Sequence, residues 1–458
     1  MVIKSAFQVV LRALKGEKHD YTQGKISEAV ILLAIPMILE LGLESVFAVV
    51  DMFFVSGLGA NAIATVGLTE AVVTLVYSVA MGLSIGASAI VARRTGEKNS
   101  AAVGQAAAQS ILLALIASLF ISGVGIVFSQ DILRLMGASA EVVKDGAGFM
   151  QILLGGNLMI LLLFLINGIF RGVGDATMAM RSLWLASGVN IVLCPVLIHF
   201  YGVQGAAMAT VIGRGSGVIF QCYHIFGGKS SVLLRRQHFN LDLSSLRHIF
   251  TVAWPASLQF LIGSGSWILI TRMVAESGGT AASAGAQIAF RIFVFFMLPA
   301  WGLSNAAATL MGQNLGAKEY DRAEESVWLT VKYTGFFMAA VMLVLLIFTG
   351  PAVRIFTQDS TVLAYAISSL RIIATGFVFF GFGMVLTQAI NGAGDTKTPN
   401  RFNVVCFWCF QLPLAHILVY HTDLKAMGAL IAVPIAHVLL TLISWRYFKL
   451  GRWKKIQV

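Results

Sequence analysis

The stretch ISEAVILLAIPMILELGLESVFAVVDMFFVSGL (26–58) is long and apolar enough to cross a bilayer, yet three carboxylates interrupt it. Glu40, Glu44 and Asp51 fall within an arc of roughly 60° on an α-helix, because each residue turns the helix by about 100°. An ionisable side chain at the bilayer centre costs about 2.5–3.5 kcal/mol on insertion scales. Three acids on one face therefore favour a water-filled functional cavity. Interhelical hydrogen bonding is the alternative, chiefly for Glu40, which lies about one turn after Pro36.

The composition is that of an integral membrane protein. Of the 458 residues, 58% are hydrophobic and 12% are charged, whereas soluble domains carry about 25% charged residues. The formal net charge of +11 would suggest a nucleic-acid partner in a soluble protein. Here the basic residues cluster at the ends of apolar runs, so membrane topology explains them and no nucleic-acid partner is expected.

Residues 1–25 form an amphipathic segment that we expect to lie in the cytoplasmic interface. Apolar segments near the ~20-residue bilayer length follow. There are twelve of them: 28–57, 62–92, 100–128, 141–169, 178–200, 203–226, 247–275, 281–311, 322–349, 362–391, 399–420 and 426–448. The amino end, the basic loop 227–246 and the basic tail 449–458 fall on the same side. Both termini are therefore predicted to be cytoplasmic.

An internal repeat divides the chain into two lobes, 26–226 and 247–448. MGLSIGASAIVARRTGEKN (81–99) matches WGLSNAAATLMGQNLGAKE (301–319) at an offset of 220 residues, and FRGVGDAT matches INGAGDTK at the same offset. Parallel repeats of this kind are related by an axis along the membrane normal. The sequence predicts an all-α polytopic membrane protein with 12 transmembrane helices in two pseudo-symmetric six-helix lobes around a central cavity.

The acidic face belongs to the amino-terminal lobe alone. In the seventh segment, the positions that match Glu40, Glu44 and Asp51 hold neutral residues: Gln259, Gly263 and Ile270. The two lobes are therefore predicted to share a fold and to differ in chemistry.

These motifs together resemble the multidrug and toxic compound extrusion family. The resemblance rests on P-x14-D-x3-V-x-x-L-G in the first segment, GLSxxA…G-x-K, G-x-GD(A/T), and the stretch AGAQIAFRIFVFFMLPAWGLSNAAATLMGQNLGAKEYDRA (284–323). It implies a secondary antiporter that exports cationic or amphipathic drugs against inward proton or sodium flow. Gly263 and Phe380 stand where the sodium-linked branch has carboxy-lobe acids, which favours the DinF-like branch.

The resemblance also implies site residues. Asp51 falls on the family's coupling acid, Asn190 and Thr210 match an asparagine and a threonine of the same lobe, and Cys194 replaces a frequent aspartate. With Glu44, the first three form the predicted ion-coupling set. The coupling ion is H+ or Na+, and no cofactor or metal is expected.

Arg214 lies four residues after Thr210 and should share its helix face. A buried arginine stays protonated and needs a carboxylate, so we predict that Arg214 approaches Glu44 or Asp51. The alternative is an Arg214 side chain that extends to a surface.

Weaker predictions concern other polar groups. The predicted cavity or substrate residues are Glu40, Glu70, Arg214, Cys194 and Asn157, with Pro36 as a hinge. Glu70 faces either the cavity or an outer rim, and Asn157 and Asn167 are alternatively hydrogen-bonding links between helices. His199, His416 and His437 are predicted to pack, and Cys406 and Cys409 to be buried free thiols. No ATPase or hydrolase motif is present, so the chain is not expected to be an enzyme.

The predicted partners are a small organic cation or amphipathic substrate and the lipid bilayer. We expect a monomer in the plasma (inner) membrane. Two other functions stay open: a lipid-linked oligosaccharide flippase of the same superfamily, and a cation channel in which the same carboxylates select cations.

Overall fold

The computed structural model describes residues 2–17, 19–228 and 230–456, without the side chains of residues 2–7, 48, 49, 51, 52, 56, 60 and 145. Within this part of the chain every regular element is helical. The first eight helices are α1 (Val2–Lys15), α2 (Ile26–Ser56), α3 (Ala60–Gly96), α4 (Ser100–Leu135), α5 (Ala140–Gly155), α6 (Asn157–Gly172), α7 (Ala176–Tyr201) and α8 (Val203–Phe226).

The second half contains the helices α9 (Leu243–Gly316), α10 (Tyr320–Ile347), α11 (Thr349–Arg354), α12 (Ser360–Ala374), α13 (Phe377–Gly392), α14 (Lys397–Asn403), α15 (Leu412–Tyr420) and α16 (Lys425–Lys449). A π-helix, Val404–Gln411, joins α14 to α15, so these three form one continuous span.

The predicted fold class is confirmed: the chain is an all-α polytopic membrane protein with twelve helical crossings. Among the residues that the structure describes, nine spans are long and apolar enough to cross a bilayer, and the bent pair α12 and α13 makes a tenth. With its 74 residues, α9 is about 110 Å long, which exceeds one crossing of ~30 Å. It turns at Gly279, where φ is 71°, and therefore supplies two crossings. The twelfth is α8, whose centre carries Arg214.

The residues that match in the sequence repeat also have matching backbone angles in the structure. Lys98 and Lys318 both adopt a positive φ, 56° and 64°, in the turns that follow α3 and α9. Gly174 and Gly394 do so at 88° and 92°, in the turns that follow α6 and α13. Glycine suits these positions because it has no Cβ to clash in the left-handed region. The matched motifs therefore form matched turns.

Contacts divide the chain into two compact units. The amino-terminal unit comprises Met1–Asp20 and Ile31–Ser257, and the carboxy-terminal unit comprises Tyr21–Val30 and Leu258–Val458. The first residues of α2 therefore belong to the carboxy-terminal unit, and the rest of α2 belongs to the amino-terminal unit. For α9 the assignment is reversed. The lobe boundaries predicted from the sequence stay predictions.

Two loops are fixed to these units by hydrogen bonds to backbone carbonyls. In the carboxy-terminal unit, the Arg322 guanidinium donates to the carbonyls of Tyr21, Gln23 and Gly24. In the amino-terminal unit, Gln109 Nε2 donates to the carbonyls of His238 and Asn240. The chain entering α2 and the chain entering α9 are therefore both held in place.

Candidate functional site

The candidate site lies in the amino-terminal unit, where α7 and α8 pack closely. A Cβ at Gly213 would lie 2.7 Å from the carbonyl oxygen of Ala186, and one at Gly217 would lie 2.9 Å from that of Ser182. Only glycine permits this approach of two helix backbones. Arg214 lies between these glycines and is 4% exposed. A permanently charged side chain is thereby held inside the unit.

Glu44 of α2 is the partner of Arg214. Arg214 Nη2 donates to Glu44 Oε1 at 2.7 Å and to the Tyr77 hydroxyl of α3 at 2.8 Å. The Glu44 side chain is 26% exposed. The prediction that Arg214 approaches Glu44 or Asp51 is confirmed for Glu44, and the burial of Arg214 excludes an extended surface conformation.

Aromatic rings surround the same guanidinium. Arg214 Cζ lies 5.6 Å from the ring centroid of Phe47, 5.5 Å from that of Tyr77 and 5.4 Å from that of Phe164. Cations within about 6 Å of a ring centroid are attracted by the ring quadrupole. We call Glu44, Phe47, Tyr77 and Phe164 the Arg214 cage. The sequence offered no sign of it, because its members come from three helices.

A cavity adjoins the cage. Its lining residues are Glu44, Phe47, Leu183, Ala186, Ser187, Asn190, Thr210 and Arg214. Asn190 Nδ2 donates to Thr210 Oγ1 at 3.2 Å across α7 and α8. The structure thus brings Glu44, Asn190, Thr210 and Arg214 together, although they lie up to 170 residues apart in the chain.

Glu40 has its own partner, which the sequence analysis missed. Arg171 Nη1 of α6 donates to Glu40 Oε1 at 2.9 Å, and Asn167 Nδ2 donates to the same oxygen at 3.0 Å. The side chains of Glu40 and Arg171 are 3% and 12% exposed. Arg171 belongs to the motif FRGVGDAT, and nothing in that motif indicates that its side chain is buried against Glu40.

Some polar atoms of the two ion pairs make no hydrogen bond. Glu40 Oε2, Glu44 Oε2 and Arg214 Nε are buried and have no hydrogen-bond partner within the described ranges. A buried polar atom without a partner costs about 1–3 kcal/mol, so such atoms often mark a position that a ligand, proton or water uses.

The other predicted residues take different places. Asn157 is buried and donates to Ser122 Oγ of α4, as a link between helices, and it does not line the cavity. Cys194 is buried on α7, whereas Glu70 is exposed on α3. Pro36 lies inside α2. The Asp51 side chain, the predicted coupling acid, lies outside the described residues.

Across residues 2–17, 19–228 and 230–456, no group of three His, Cys, Asp or Glu side chains is placed to hold a metal ion. Cys406 and Cys409 are free thiols. Cys406 is buried as predicted, whereas Cys409 is exposed, so its predicted burial is wrong.

Comparisons with known proteins cover nearly the whole chain. A family model described as MatE matches residues 36–196 and 255–417. The probable multidrug resistance protein YoeA of Bacillus subtilis is 24% identical over 93% of this chain and 94% of its own. A FAD transporter of Shewanella oneidensis is 26% identical over 93% and 94%.

Solved structures agree with these relatives. One is described as the outward-facing conformation of a multidrug resistance MATE family transporter of the MOP superfamily. It is 27% identical, covers 96% of this chain and 100% of its own, and superposes with a TM-score of 0.90.

Proposed function

Because the chain belongs to the MatE family, whose members are membrane transporters and not enzymes, we propose that it is a secondary active exporter. Its substrates are cationic or amphipathic drugs or metabolites, and it exchanges them for protons, with Na+ as the alternative ion. The family predicted from the sequence is confirmed, whereas the DinF-like branch stays a prediction.

The chain is a multi-pass membrane protein with small-molecule substrates. Within this assignment we propose that it resides in the plasma (inner) membrane as a monomer, with both termini cytoplasmic. The excess of lysine and arginine on one side of the predicted spans supports this orientation.

One observation carries the proposal: a cavity in the amino-terminal unit is lined by the Glu44–Arg214 pair together with Asn190 and Thr210. Ionisable groups inside a membrane bundle are rare and mark substrate or ion pathways. In the sequence, Asp51 follows Glu44 by seven residues, about two helical turns, and it is the predicted coupling acid. This arrangement supports a proton-binding site next to a substrate cavity.

The mechanism follows from linkage. Protons entering from outside neutralise Asp51, with Glu44 as partner or relay, and the site loses the charge that holds a cationic substrate. The substrate leaves, α2 bends near Pro36, and reopening towards the cytoplasm releases the proton. Because proton and substrate oppose one another at one site, exchange is obligatory. Each proton supplies about 2.3 kcal/mol per 100 mV of membrane potential.

The test is substrate efflux from proteoliposomes under an imposed pH gradient or an imposed Na+ gradient. For Glu44→Gln and for Asp51→Asn we expect efflux driven by the pH gradient to fall by about tenfold or more, because a neutral amide cannot exchange the proton. Glu276→Gln is the matched control. Glu276 is an exposed carboxylate bonded to Arg272 in the carboxy-terminal unit, and its loss should leave efflux unchanged.

Other outcomes decide between the alternatives. Efflux that requires Na+ instead makes Asp51, Asn190 and Thr210 a set of cation ligands. Ion flux that neither saturates nor depends on substrate indicates a channel, and movement of a lipid-linked sugar alone indicates a flippase. FAD should be included among the substrates, because one relative is named as its transporter.

A further inference from the structure

The first helix, α1, ends against the start of α7. Thr177 Oγ1 donates to the Ala13 carbonyl at 2.8 Å. Arg181 Nη2 donates to the carbonyls of Leu14 and Lys15, at 3.2 and 3.1 Å. The last carbonyls of a helix have no partner within that helix, so these two side chains of α7 cap α1. Ala13 is buried. The carboxyl end of α1 is therefore docked on α7.

This docking belongs to the amino-terminal unit and is not required by the repeat. A Cβ at Gly16 would lie 3.1 Å from Thr177 Cβ, and Gly16 has a φ of 74°, so glycine suits the turn that follows α1. At the offset of 220 residues, Thr177 corresponds to Lys397 at the start of α14. Thr177 is buried, whereas Lys397 is exposed.

The opposite face of α1 is open and combines an apolar with a basic side chain. Leu11 is 41% exposed, and Lys15 is exposed as well. Each lies about 160° from Ala13 around the helix, because each residue turns it by about 100°. Both therefore face away from the docked side. In its sequence α1 has three basic residues, Lys4, Arg12 and Lys15, and no acidic residue.

The position of α1 on α7 places this face at a membrane surface. With 26 residues, α7 is about 39 Å long, which exceeds the ~30 Å hydrocarbon core. A helix bonded to its second and sixth residues, Thr177 and Arg181, therefore lies at the level of the lipid headgroups. There a leucine enters the acyl boundary, while the ammonium of a neighbouring lysine reaches the phosphates.

We propose that the open face of α1 binds the anionic headgroups of the adjoining leaflet and thereby holds the start of α7 in place. The partner is a negatively charged lipid surface. The link to the candidate site is α7 itself, since Arg181 lies two residues before Leu183, which lines the cavity. This inference depends on the membrane location of the chain and not on its transport activity.

The experiment is amide hydrogen exchange of the full chain in two kinds of vesicle, phosphatidylcholine alone and an equal mixture of phosphatidylcholine and phosphatidylglycerol. Exchange reports local opening, which binding to the surface opposes. Each lysine or arginine near an anionic surface contributes about fivefold. We therefore expect exchange in α1 to slow by about tenfold or more in the mixture. The first two turns of α7 should slow with it.

Variants test the charges and the docking separately. Lys15→Gln should reduce the response of α1 by about fivefold, and adding Arg12→Gln, which also breaks the pair with Glu17, should reduce it further. Lys397→Gln with Arg401→Gln is the matched control, because it removes two exposed basic residues from the corresponding helix start and should leave α1 unaffected.

Arg181→Met removes two of the bonds that dock α1. We expect the response of α1 to lipid charge to persist in this variant and that of α7 to be lost. Inositol hexakisphosphate, added to phosphatidylcholine vesicles, is the soluble-anion control and should not protect α1.

Equal exchange of α1 in the two kinds of vesicle overturns the proposal, as does an unchanged response in Lys15→Gln with Arg12→Gln. Equal protection by inositol hexakisphosphate also overturns it, since α1 would then be a site for free phosphate. A wild-type response in α1 without one in α7 overturns the link to the site. No step measures efflux, so failure of the proposed exchange is judged separately.

Discussion

The two units join the same pair of helix positions with different side chains. Near the start of the amino-terminal unit, Arg171 donates to Glu40, and the pair is ionic. The repeat places Gln259 and Asn391 at the matching positions, and these side chains exchange two amide hydrogen bonds, both of 3.1 Å. The same two helix positions are joined in each unit, by charges in one and by neutral amides in the other.

A second matched position shows the same contrast. Gly205 and Gly428 occupy equivalent positions, because a side chain at either would collide with the backbone of the preceding helix. Nine residues after Gly205 is Arg214, and nine residues after Gly428 is His437, so these two residues correspond. The ring of His437 packs against that of Phe380, with centroids 3.7 Å apart and planes tilted by 35°. Its prediction as a packing residue is confirmed. The partner glutamate of Arg214 has Gly263 as its counterpart.

The comparison separates what the fold requires from what it tolerates. A neutral amide pair and a contact between the rings of His437 and Phe380 occupy these positions in the carboxy-terminal unit, so the architecture does not need charges there. Buried ion pairs in a membrane protein are costly to desolvate. The charges of the amino-terminal unit are therefore best explained by function.

The largest expected effect on stability comes from replacing the Glu40–Arg171 ion pair of the amino-terminal unit with the amide pair of the carboxy-terminal unit. Glu40→Gln alone leaves Arg171 buried without an ionic partner and should destabilise the protein by about 3–5 kcal/mol. The double variant Glu40→Gln with Arg171→Asn reproduces the amide pair of the second unit. We expect it to recover most of that loss, measured by thermal unfolding in detergent.

The outcome that would break the comparison is a double variant no more stable than Glu40→Gln. In that case the ionic pair itself would be needed to join α2 to α6, and the matched positions would not be interchangeable.

A smaller effect tests the close helix approach that both units share. A Cβ at Gly392 would lie 2.3 Å from the Ala308 carbonyl oxygen, and one at Gly172 would lie 2.8 Å from that of Ser88. Alanine at either position should cost about 1–3 kcal/mol, with the greater loss at Gly392. Gly263→Ala is the control, because no atom lies within 4 Å of its Cβ. Thermal unfolding of the three variants ranks them, and an equally destabilised Gly263→Ala would contradict the packing argument.

The smallest effect concerns two serines of the repeat. Ser84 Oγ accepts from Arg171 and donates to the Phe164 carbonyl, whereas Ser304 Oγ donates only to the Ala300 carbonyl of its own helix among the described contacts. Ser84→Ala should cost about 0.6–1.7 kcal/mol, the scale of hydrogen bonds between membrane helices. Ser304→Ala should be nearly neutral. Equal losses in unfolding temperature would mean that the two serines have equivalent roles.

Much of the fold was predictable from local patterns. Apolar length identifies membrane-spanning helices, because a bilayer of fixed thickness demands about 20 residues. The motifs of the repeat identified turns that recur with the same backbone angles. The site was predictable in part: a buried arginine in a membrane helix needs a carboxylate, so the burial of Arg214 with an acid followed from its charge alone.

The choice of partners was not predictable in the same way. Glu40 and Glu44 lie one turn apart on one face of α2, yet Arg171 binds the first and Arg214 the second. Asn157, predicted either to line the cavity or to link helices, bonds to α4. Each outcome depends on which helix lies opposite and at what height.

The sequence by itself determined the twelve membrane-spanning segments, their division into two repeats and the restriction of the first segment's acidic face to one of them. These follow from hydrophobicity and the helical period, which act over a few residues. Only the tertiary structure decided that Arg214 joins Glu44 within three aromatic rings and that Arg171 joins Glu40. Such partners lie more than 100 residues apart in the chain, and the packing of helices against one another selects them.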